Sequence, residues 1–156
     1  MEDLHDVIER LDHVSIAVWD IAAAAHLPDL LGGRFRDGGL SHRRDFRWAQ
    51  WDLPFGKLEM IAPIDPGGDN FLTRFLREHG EGPHHLTFKV GDIEHAVARA
   101  EELGFEVVGR NTEHDGWKEA FIHPRSSHGV LIQLAEFDDR WRTTGRTLDD
   151  ALSEAP

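Results

Sequence analysis

Two histidines stand at matching points of two similar segments of this 156-residue chain. The nine residues that begin with His13 and the nine that begin with His85 share His, Val, Asp and Ile at the same offsets. Glu59 and Gln133 are each a lone polar residue in the middle of an apolar run. Two imidazoles, a carboxylate and an amide oxygen make a ligand set suited to Zn, Ni, Co, Mn or Fe(II). These four residues therefore predict a site for one divalent metal ion, with coordination positions left open for water or substrate.

The segment that begins at each histidine has the pattern of a strand followed by a helix. Val14, Ile16 and Val18 alternate with polar or small residues, which is the period of a strand with one apolar face. Asp20 and Asp92 then stand where the N-cap of a helix belongs. A lone histidine on a strand is more often structural than metal-binding, so it is the repetition of the whole pattern that favours a shared site.

Further strand-like runs follow each helix, at 46–53 and 57–62 in the first copy and at 105–109, 119–123 and 130–135 in the second. Each copy is therefore expected to be a βαβββ module. We expect an α+β fold within one domain, 1–156, in which tandem modules at about 11–65 and 83–136 form a cup-shaped mixed sheet around the metal. A linker helix is expected at about 69–80. The extension at 137–156 is either a helix packed on a partner subunit or a mobile end.

The composition excludes several kinds of site and partner. The chain has no cysteine, which rules out disulfides, thiolate zinc sites and cysteine nucleophiles. Its formal net charge of -12 repels phosphate backbones and anionic headgroups, so nucleic acid and membrane partners are not expected. The N-terminal residues lack the pattern of a signal peptide, and no apolar stretch approaches the roughly 18 residues of a membrane span. A cytoplasmic protein is therefore expected.

Four segments of the chain resemble methylmalonyl-CoA epimerases of the vicinal oxygen chelate superfamily, which includes glyoxalase I. They are LDHVSIAV at 11–18, KLEMIAP at 57–63, GPHHLTF at 82–88 and FIHPRSSHGVLIQL at 121–134, and the last two are the most specific. The resemblance spans about residues 11–136. It implies paired βαβββ modules around a metal, usually in a homodimer. It also implies a small-molecule substrate that chelates the metal through two adjacent oxygens, which stabilises an enolate while a carboxylate moves the proton.

The resemblance implies His13, Glu59, His85 and Gln133 as the metal ligands, position by position. The chain departs from the family pattern in two places. Epimerases and glyoxalases generally have Glu on the final strand, where this chain has Gln133, and an amide cannot act as a base. Epimerases also use a second carboxylate on the strand before the first hairpin, and residues 46–51 contain none. Glu59 is therefore expected to be the catalytic base as well as a ligand.

Four further residues are candidate substrate contacts. Trp48 and Gln50 lie on the predicted strand before the first hairpin, and His114 and Lys118 lie in a predicted loop near the cleft. Trp48 suggests an aromatic wall of the cleft, although ordinary packing in the core is an equally good interpretation of an aromatic residue on a strand.

Three classes of function fit this sequence. The first is a metal-dependent isomerase, epimerase or lyase, epimerase-like or glyoxalase-like, that transfers a proton next to a metal-chelating carbonyl. The second is an Fe(II)-dependent dioxygenase, with His13, His85 and Glu59 as the two-histidine, one-carboxylate face. The third is a metal-free protein of the resistance type that binds a small molecule. Metal analysis of the purified protein separates the three.

Overall fold

The structure, a computed structural model, describes residues 4–113, 116–140 and 145–156, so the candidate contact His114 lies outside the described residues. The chain divides into two compact units. The first unit comprises Met1–His13 and His85–Trp141, and the second unit comprises Val14–His84 and Arg142–Pro156. Two of the three boundaries between the units fall next to a histidine that the sequence predicts to be a metal ligand.

Eight strands are found in the described residues. They are β1 (Ile8–Ala17), β2 (Arg34–Leu40), β3 (Phe46–Leu53), β4 (Gly56–Pro63), β5 (Gly82–Val90), β6 (Val107–Asn111), β7 (Lys118–Ile122) and β8 (Ile132–Glu136). Their order is β2-β3-β4-β1-β5-β8-β7-β6, so the strands of the second copy repeat those of the first in mirrored order. β5 and β8 are parallel, whereas the hairpin pairs in each copy are antiparallel. The mixed sheet and the α+β class that the sequence predicts are confirmed.

The helix of the first unit covers one face of its strands. α4 (Ile93–Glu102) begins at Asp92, whose side chain accepts a hydrogen bond from the backbone N–H of His95. Its apolar side packs on strands β7 and β8 and is fully buried with them, in a cluster that includes Ile93, Ala96, Val97, Ala100, Ala120, Ile122 and Leu134. Residues that alternate with these strand positions therefore point to the other face of the strands.

The helix of the second unit is broken, unlike its counterpart in the first. Asp20 caps α1 (Ile21–Ala24) as the sequence predicts, but the chain restarts as α2 (His26–Leu30). Pro28 has no N–H and its ring clashes with the carbonyl four residues earlier, so a continuous helix cannot form here. A further helix, α3 (Phe71–His79), begins at Asn70 with a capping box and lies within the range of the predicted linker helix.

Residues 145–156 of the C-terminal extension pack within the second unit of their own chain. α5 (Leu148–Leu152) buries Ala151 completely and adds Leu148 and Leu152 to the core around Trp51. Gly38 on β2 permits this approach, because a Cβ there would stand 2.7 Å from a backbone oxygen of β3 and 3.3 Å from the Ala151 Cβ. A helix is found in this segment, packed on residues of the same chain, and contact with a partner subunit stays a prediction.

Two features of the strands were not predicted from the sequence. The position of β2, one of the strands expected in the first βαβββ module, was not identified, because its Asp37-Gly38-Gly39 run has none of the residue types that favour strands. β1 begins five residues before His13, so the histidine lies inside the strand rather than at its start. None of the described helices is long and apolar enough to span a membrane.

Candidate metal centre

His13 of the first unit is held in one orientation by the residue before it. Its Nδ1 lies 2.8 Å from an oxygen of Asp12, and both side chains are almost completely buried. The Arg10 guanidinium donates to the other oxygen of Asp12, at 2.8 Å, which favours the charged carboxylate. A carboxylate beside Nδ1 places the proton on that nitrogen and presents Nε2 as the lone-pair donor, the arrangement typical of metal-binding histidines.

The second histidine lies in the same unit. The rings of His13 and His85 are 6.1 Å apart between centroids and are tilted by 70°. His85 is buried, and its ring also lies edge-on to Phe121 of β7, at 6.1 Å. The neighbouring His84 has different surroundings, since its ring packs on Phe75 of α3. Burial lowers the pKa of His84 to about 4, although the negative charge of Glu59 acts to raise it.

Both the oxygen and the nitrogen of the Gln133 side-chain amide make hydrogen bonds within the first unit. The Thr87 hydroxyl donates to its Oε1 at 2.6 Å, and its Nε2 donates to Glu119 Oε2 at 2.5 Å. Thr87 is directly opposite Gln133 in the β5–β8 pairing, so the two side chains share one face. The indole N–H of Trp117 donates to the same Glu119 oxygen at 2.9 Å. The orientation of the Gln133 amide is therefore fixed, with its oxygen towards β5.

Glu59 of the second unit has an equivalent set of contacts. The Ser15 hydroxyl, which is fully buried, donates to Glu59 Oε1 at 2.9 Å. The amide of Gln50 donates to Glu59 Oε2 at 2.8 Å, from the position directly opposite on β3. Each carboxylate oxygen thus receives at least one hydrogen bond from a side chain of its own unit, which stabilises the charged form.

The donor types fit a divalent metal. His13, Glu59 and His85 are buried, and each offers one atom that could ligate an ion. Imidazole nitrogens and carboxylate or amide oxygens suit the borderline divalent metals rather than thiophilic ones. These three residues would hold the ion through Nε2 of His13, the Glu59 carboxylate and the His85 ring, and the Gln133 amide oxygen stays a predicted fourth ligand.

The structure places the predicted substrate contacts in different surroundings. Gln50 bonds Glu59, whereas the indole N–H of Trp48 donates to the Leu40 carbonyl at 3.3 Å and its ring packs at the edge of the core under α3. Lys118 pairs with Glu136 at 3.3 Å and, as the residue before Glu119 on β7, points to the other face of that strand. Contact with substrate stays a prediction for these residues.

Four functional candidates were missed from the sequence. Ser15 and Thr87 each follow a predicted histidine ligand by two residues, and this shared spacing could have identified them, since alternate residues of a strand share a face. Asp12 directly precedes His13 but was not singled out as its hydrogen-bond partner. Glu119 gave no signal, because its contact with Gln133 depends on the pairing of β7 with β8.

Comparison with known proteins identifies the family of this chain and two relatives. The family described as the Glyoxalase/Bleomycin resistance protein/Dioxygenase superfamily matches residues 12–121. An ethylmalonyl-CoA/methylmalonyl-CoA epimerase of Cereibacter sphaeroides is 31% identical over 135 residues, which cover 83% of this chain and 99% of that protein. An uncharacterized protein of Bacillus subtilis is 30% identical over 132 residues, covering 83% of this chain and 93% of the relative.

Solved structures include a similar fold. The crystal structure of methylmalonyl-CoA epimerase from Mycobacterium tuberculosis superposes with a TM-score of 0.74 at 28% identity, covering 87% of this chain and 93% of that one. The family match extends over most of the chain and includes the strands that carry His13, Glu59 and His85. This chain therefore belongs to the glyoxalase/bleomycin resistance protein/dioxygenase superfamily.

Proposed function

We propose that this protein is a metal-dependent epimerase that moves a proton on the carbon next to a metal-chelating carbonyl, with 2-substituted malonyl-CoA thioesters such as methylmalonyl-CoA as substrates. The observation that carries the proposal is the buried donor set: an imidazole oriented by Asp12, a second imidazole close to it, and a carboxylate oriented by two donors. The family, and a relative named as an ethylmalonyl-CoA/methylmalonyl-CoA epimerase, support the substrate class.

We further propose that His13, His85, Glu59 and Gln133 act as one ligand set. Ser15 bonds Glu59 and lies two residues after His13 on the same side of β1. Thr87 bonds Gln133 and lies two residues after His85 on β5 in the same way. Each histidine strand therefore carries a hydroxyl that fixes the other ligand of its copy, and the duplication supplies two such pairs.

Different residues of the chain have different roles in the proposed reaction. A bound divalent ion would supply electrophilic polarisation of the substrate carbonyl, which acidifies the adjacent C–H bond. Asp12 keeps the proton of His13 on Nδ1, so that Nε2 would present its lone pair to the ion. Ser15 and Gln50 hold the Glu59 carboxylate in place. Glu59 accepts the proton from carbon, and solvent supplies a proton to the opposite face of the enolate; a positioned base contributes on the order of a hundred- to ten-thousandfold to such a step.

The assembly is also a proposal. A homodimer is proposed from the family resemblance, and the second unit exposes large apolar side chains such as Leu30 and Phe55 that an interface could cover. A cytoplasmic location is proposed with it.

Metal analysis together with solvent exchange tests the function. The protein is purified without added metal, its metal content is measured, and each epimer of methylmalonyl-CoA is incubated with it in D2O. We expect a stoichiometric divalent ion and deuterium at C2. His13→Ala and His85→Ala should each abolish tight metal binding and exchange, whereas His95→Ala, which changes an exposed histidine of α4, should retain both.

Other outcomes favour the alternative functions. Stoichiometric Fe(II) with substrate-dependent oxygen uptake and no exchange would favour a dioxygenase. Absence of metal from a folded protein that still binds small molecules would favour the binding function. Full metal occupancy in His13→Ala or His85→Ala would contradict the ligand assignment.

A further inference from the structure

Each copy of the module carries a tryptophan two residues before the side chain that bonds a proposed metal ligand. Trp48 precedes Gln50 in the second unit, and Trp117 precedes Glu119 in the first. Alternate residues of an extended chain share a face, so each indole lies on the ligand face of its own unit. The duplication places the same side chain in the same position twice, and the surroundings of each tryptophan decide its role.

The tryptophan of the second unit is covered by a helix. α3 packs over that face with Leu72 and Leu76, and the Trp48 ring joins this cluster of the core. The indole N–H of Trp48 donates to the Leu40 carbonyl at 3.3 Å. The ring of Trp48 is therefore part of the packing between α3 and the strands of its unit.

The tryptophan of the first unit has no such helix over it. Among the described residues of that unit, 4–13, 85–113 and 116–140, α4 is the only α-helix. α4 packs on Ala120 and Ile122, which lie on the opposite face of β7 from Glu119. Trp117 is accordingly half-buried, with part of its ring accessible on the ligand face.

The Trp117 ring is nevertheless held in one orientation. It stacks on Phe137, with centroids 4.7 Å apart and planes within 20° of parallel. Its N–H donates to Glu119 Oε2 at 2.9 Å, and the same oxygen accepts the amide of Gln133. The indole is therefore one side chain away from a proposed metal ligand, and a fixed aromatic surface binds an apolar group with little loss of side-chain entropy.

Phe121 extends this surface on the other side of Glu119. It is half-buried two residues further along β7, and its ring lies edge-on to His85 at 6.1 Å. Gly109 of β6 leaves room for the ring, because a Cβ at that position would stand 3.1 Å from a Phe121 ring carbon. Trp117 and Phe121 together form an aromatic wall beside the proposed ligands of the first unit, and apolar walls of this kind are typical of small-molecule sites.

We propose that Trp117 is a specificity-determining residue of the site, and that the alkyl group at C2 of the substrate packs on its indole. This inference rests on the proposed epimerase function. The oxygens of the substrate have polar partners in the site, whereas the alkyl group has none and gains free energy by leaving water for an apolar surface. Trp117 thereby distinguishes malonyl thioesters that carry an alkyl group from those that do not, and it takes no part in proton transfer.

Binding of a thioester that cannot react tests this role. 2,2-Dimethylmalonyl-CoA has no proton at C2, and malonyl-CoA has no alkyl group, so the ratio of their dissociation constants measures the contribution of the methyl groups. We expect the protein as purified to prefer the dimethyl compound by on the order of tenfold in titration calorimetry. Trp117→Ala should lose most of this preference while it keeps the parent's metal content and its affinity for malonyl-CoA.

Two further variants separate the apolar surface of Trp117 from its hydrogen bond. Trp117→Phe keeps an aromatic ring but removes the donor to Glu119, and should retain most of the preference. Trp117→Gln keeps a donor but removes the apolar surface, and should lose the preference as Trp117→Ala does, which also serves if the alanine variant fails to fold by circular dichroism. Phe105→Ala is the matched control, because it removes an exposed aromatic ring that lies between α4 and β6, and it should leave the preference unchanged.

The outcomes distinguish this inference from the proposed function. A full preference in Trp117→Ala or Trp117→Gln would overturn the inference. Loss of the preference in Trp117→Phe but not in Trp117→Gln would assign Trp117 to positioning Glu119 and would overturn it as well. Either result, together with deuterium exchange of methylmalonyl-CoA by the parent protein, would leave the proposed function intact. Absence of exchange in the parent protein would overturn the proposed function, and this inference with it.

Discussion

Glu59 and Gln133 each belong to a hydrogen-bonded pair of one glutamate and one glutamine, and the two pairs carry these residues on opposite strands. In the second unit the acid, Glu59, lies on β4 and its amide partner, Gln50, lies on β3. In the first unit the amide, Gln133, lies on β8 and its acid partner, Glu119, lies on β7. A hydroxyl on the histidine strand completes each set: Ser15 in one, Thr87 in the other.

The exchange teaches how a duplicated site can move its negative charge to another strand without losing its hydrogen bonds. Each set contains one carboxylate and one amide, so the carboxylate has a donor as its neighbour and never another carboxylate. What differs is the strand that carries the negative charge. The sets also differ in register, since Gln50 is directly opposite Glu59 whereas Glu119 is opposite Ala135 and reaches Gln133 diagonally.

Placing two acids side by side, at residues 119 and 133, should have the largest effect on stability. Gln133→Glu removes the donor to Glu119 and sets two carboxylates within hydrogen-bonding distance, so we expect the metal-free protein to lose about 3 kcal/mol in the free energy of unfolding. Adding Glu119→Gln restores one acid and one amide, now in the arrangement of the second unit, and should recover most of the loss. Urea unfolding of the four proteins in the presence of a chelator gives this double-mutant cycle.

The coupling in that cycle decides whether acid and amide act as a pair. Additive losses in the two single variants, with no recovery in the double variant, would show that the contact between Gln133 and Glu119 contributes nothing to stability. A cycle that pairs Gln133→Glu with Glu106→Gln is the matched control, because Glu106 contacts Arg125 instead and should not couple.

Sequence patterns predicted those residues of the site that can be recognised from the periodicity of a single strand. The alternation around His13 and His85 and the polar interruptions at Glu59 and Gln133 can be read from the period of a strand, and the repeat relates the two copies. Glu119 could not be found in this way, because its role depends on which residue of β8 lies beside it. Periodicity shows which face a residue occupies but not the register between strands.

The helices show the same division between local and long-range information. The caps at Asp20 and Asp92 were predicted from local sequence and were found. The break before Pro28 was equally local but was missed, since the resemblance between the copies favoured one continuous helix. The packing of α5 beside Gly38 depends on residues more than a hundred positions apart, and no local pattern indicates it.

The two histidine strands also differ in the residue before the histidine, which is Asp12 before His13 but His84 before His85. A change at Asp12 tests this difference, with a smaller expected effect. Asp12→Asn should keep an oxygen beside His13 Nδ1 but remove its charge, and we expect a ten- to hundredfold loss of metal affinity. Competition with a chelator measures this loss, and circular dichroism checks the fold. His84→Asn, the matched change beside the other histidine, should weaken metal binding less, and a larger loss in that variant would contradict the role given to Asp12.

The smallest expected effect compares the two hydroxyls. Ser15→Ala removes a hydrogen bond to a carboxylate, whereas Thr87→Val removes one to a neutral amide, and both hydroxyls lie on fully buried residues. Hydrogen bonds to charged groups contribute about 1.5 to 3 kcal/mol and neutral ones about 0.5 to 1.5, so Ser15→Ala should cost about 1 kcal/mol more in the metal-free protein. In the Gln133→Glu, Glu119→Gln background the acceptor of Thr87 becomes a carboxylate, and the cost of Thr87→Val should rise to that of Ser15→Ala. Urea unfolding with unchanged slopes measures each cost. An unchanged cost of Thr87→Val in that background would mean that the two sets differ in more than the placement of one charge.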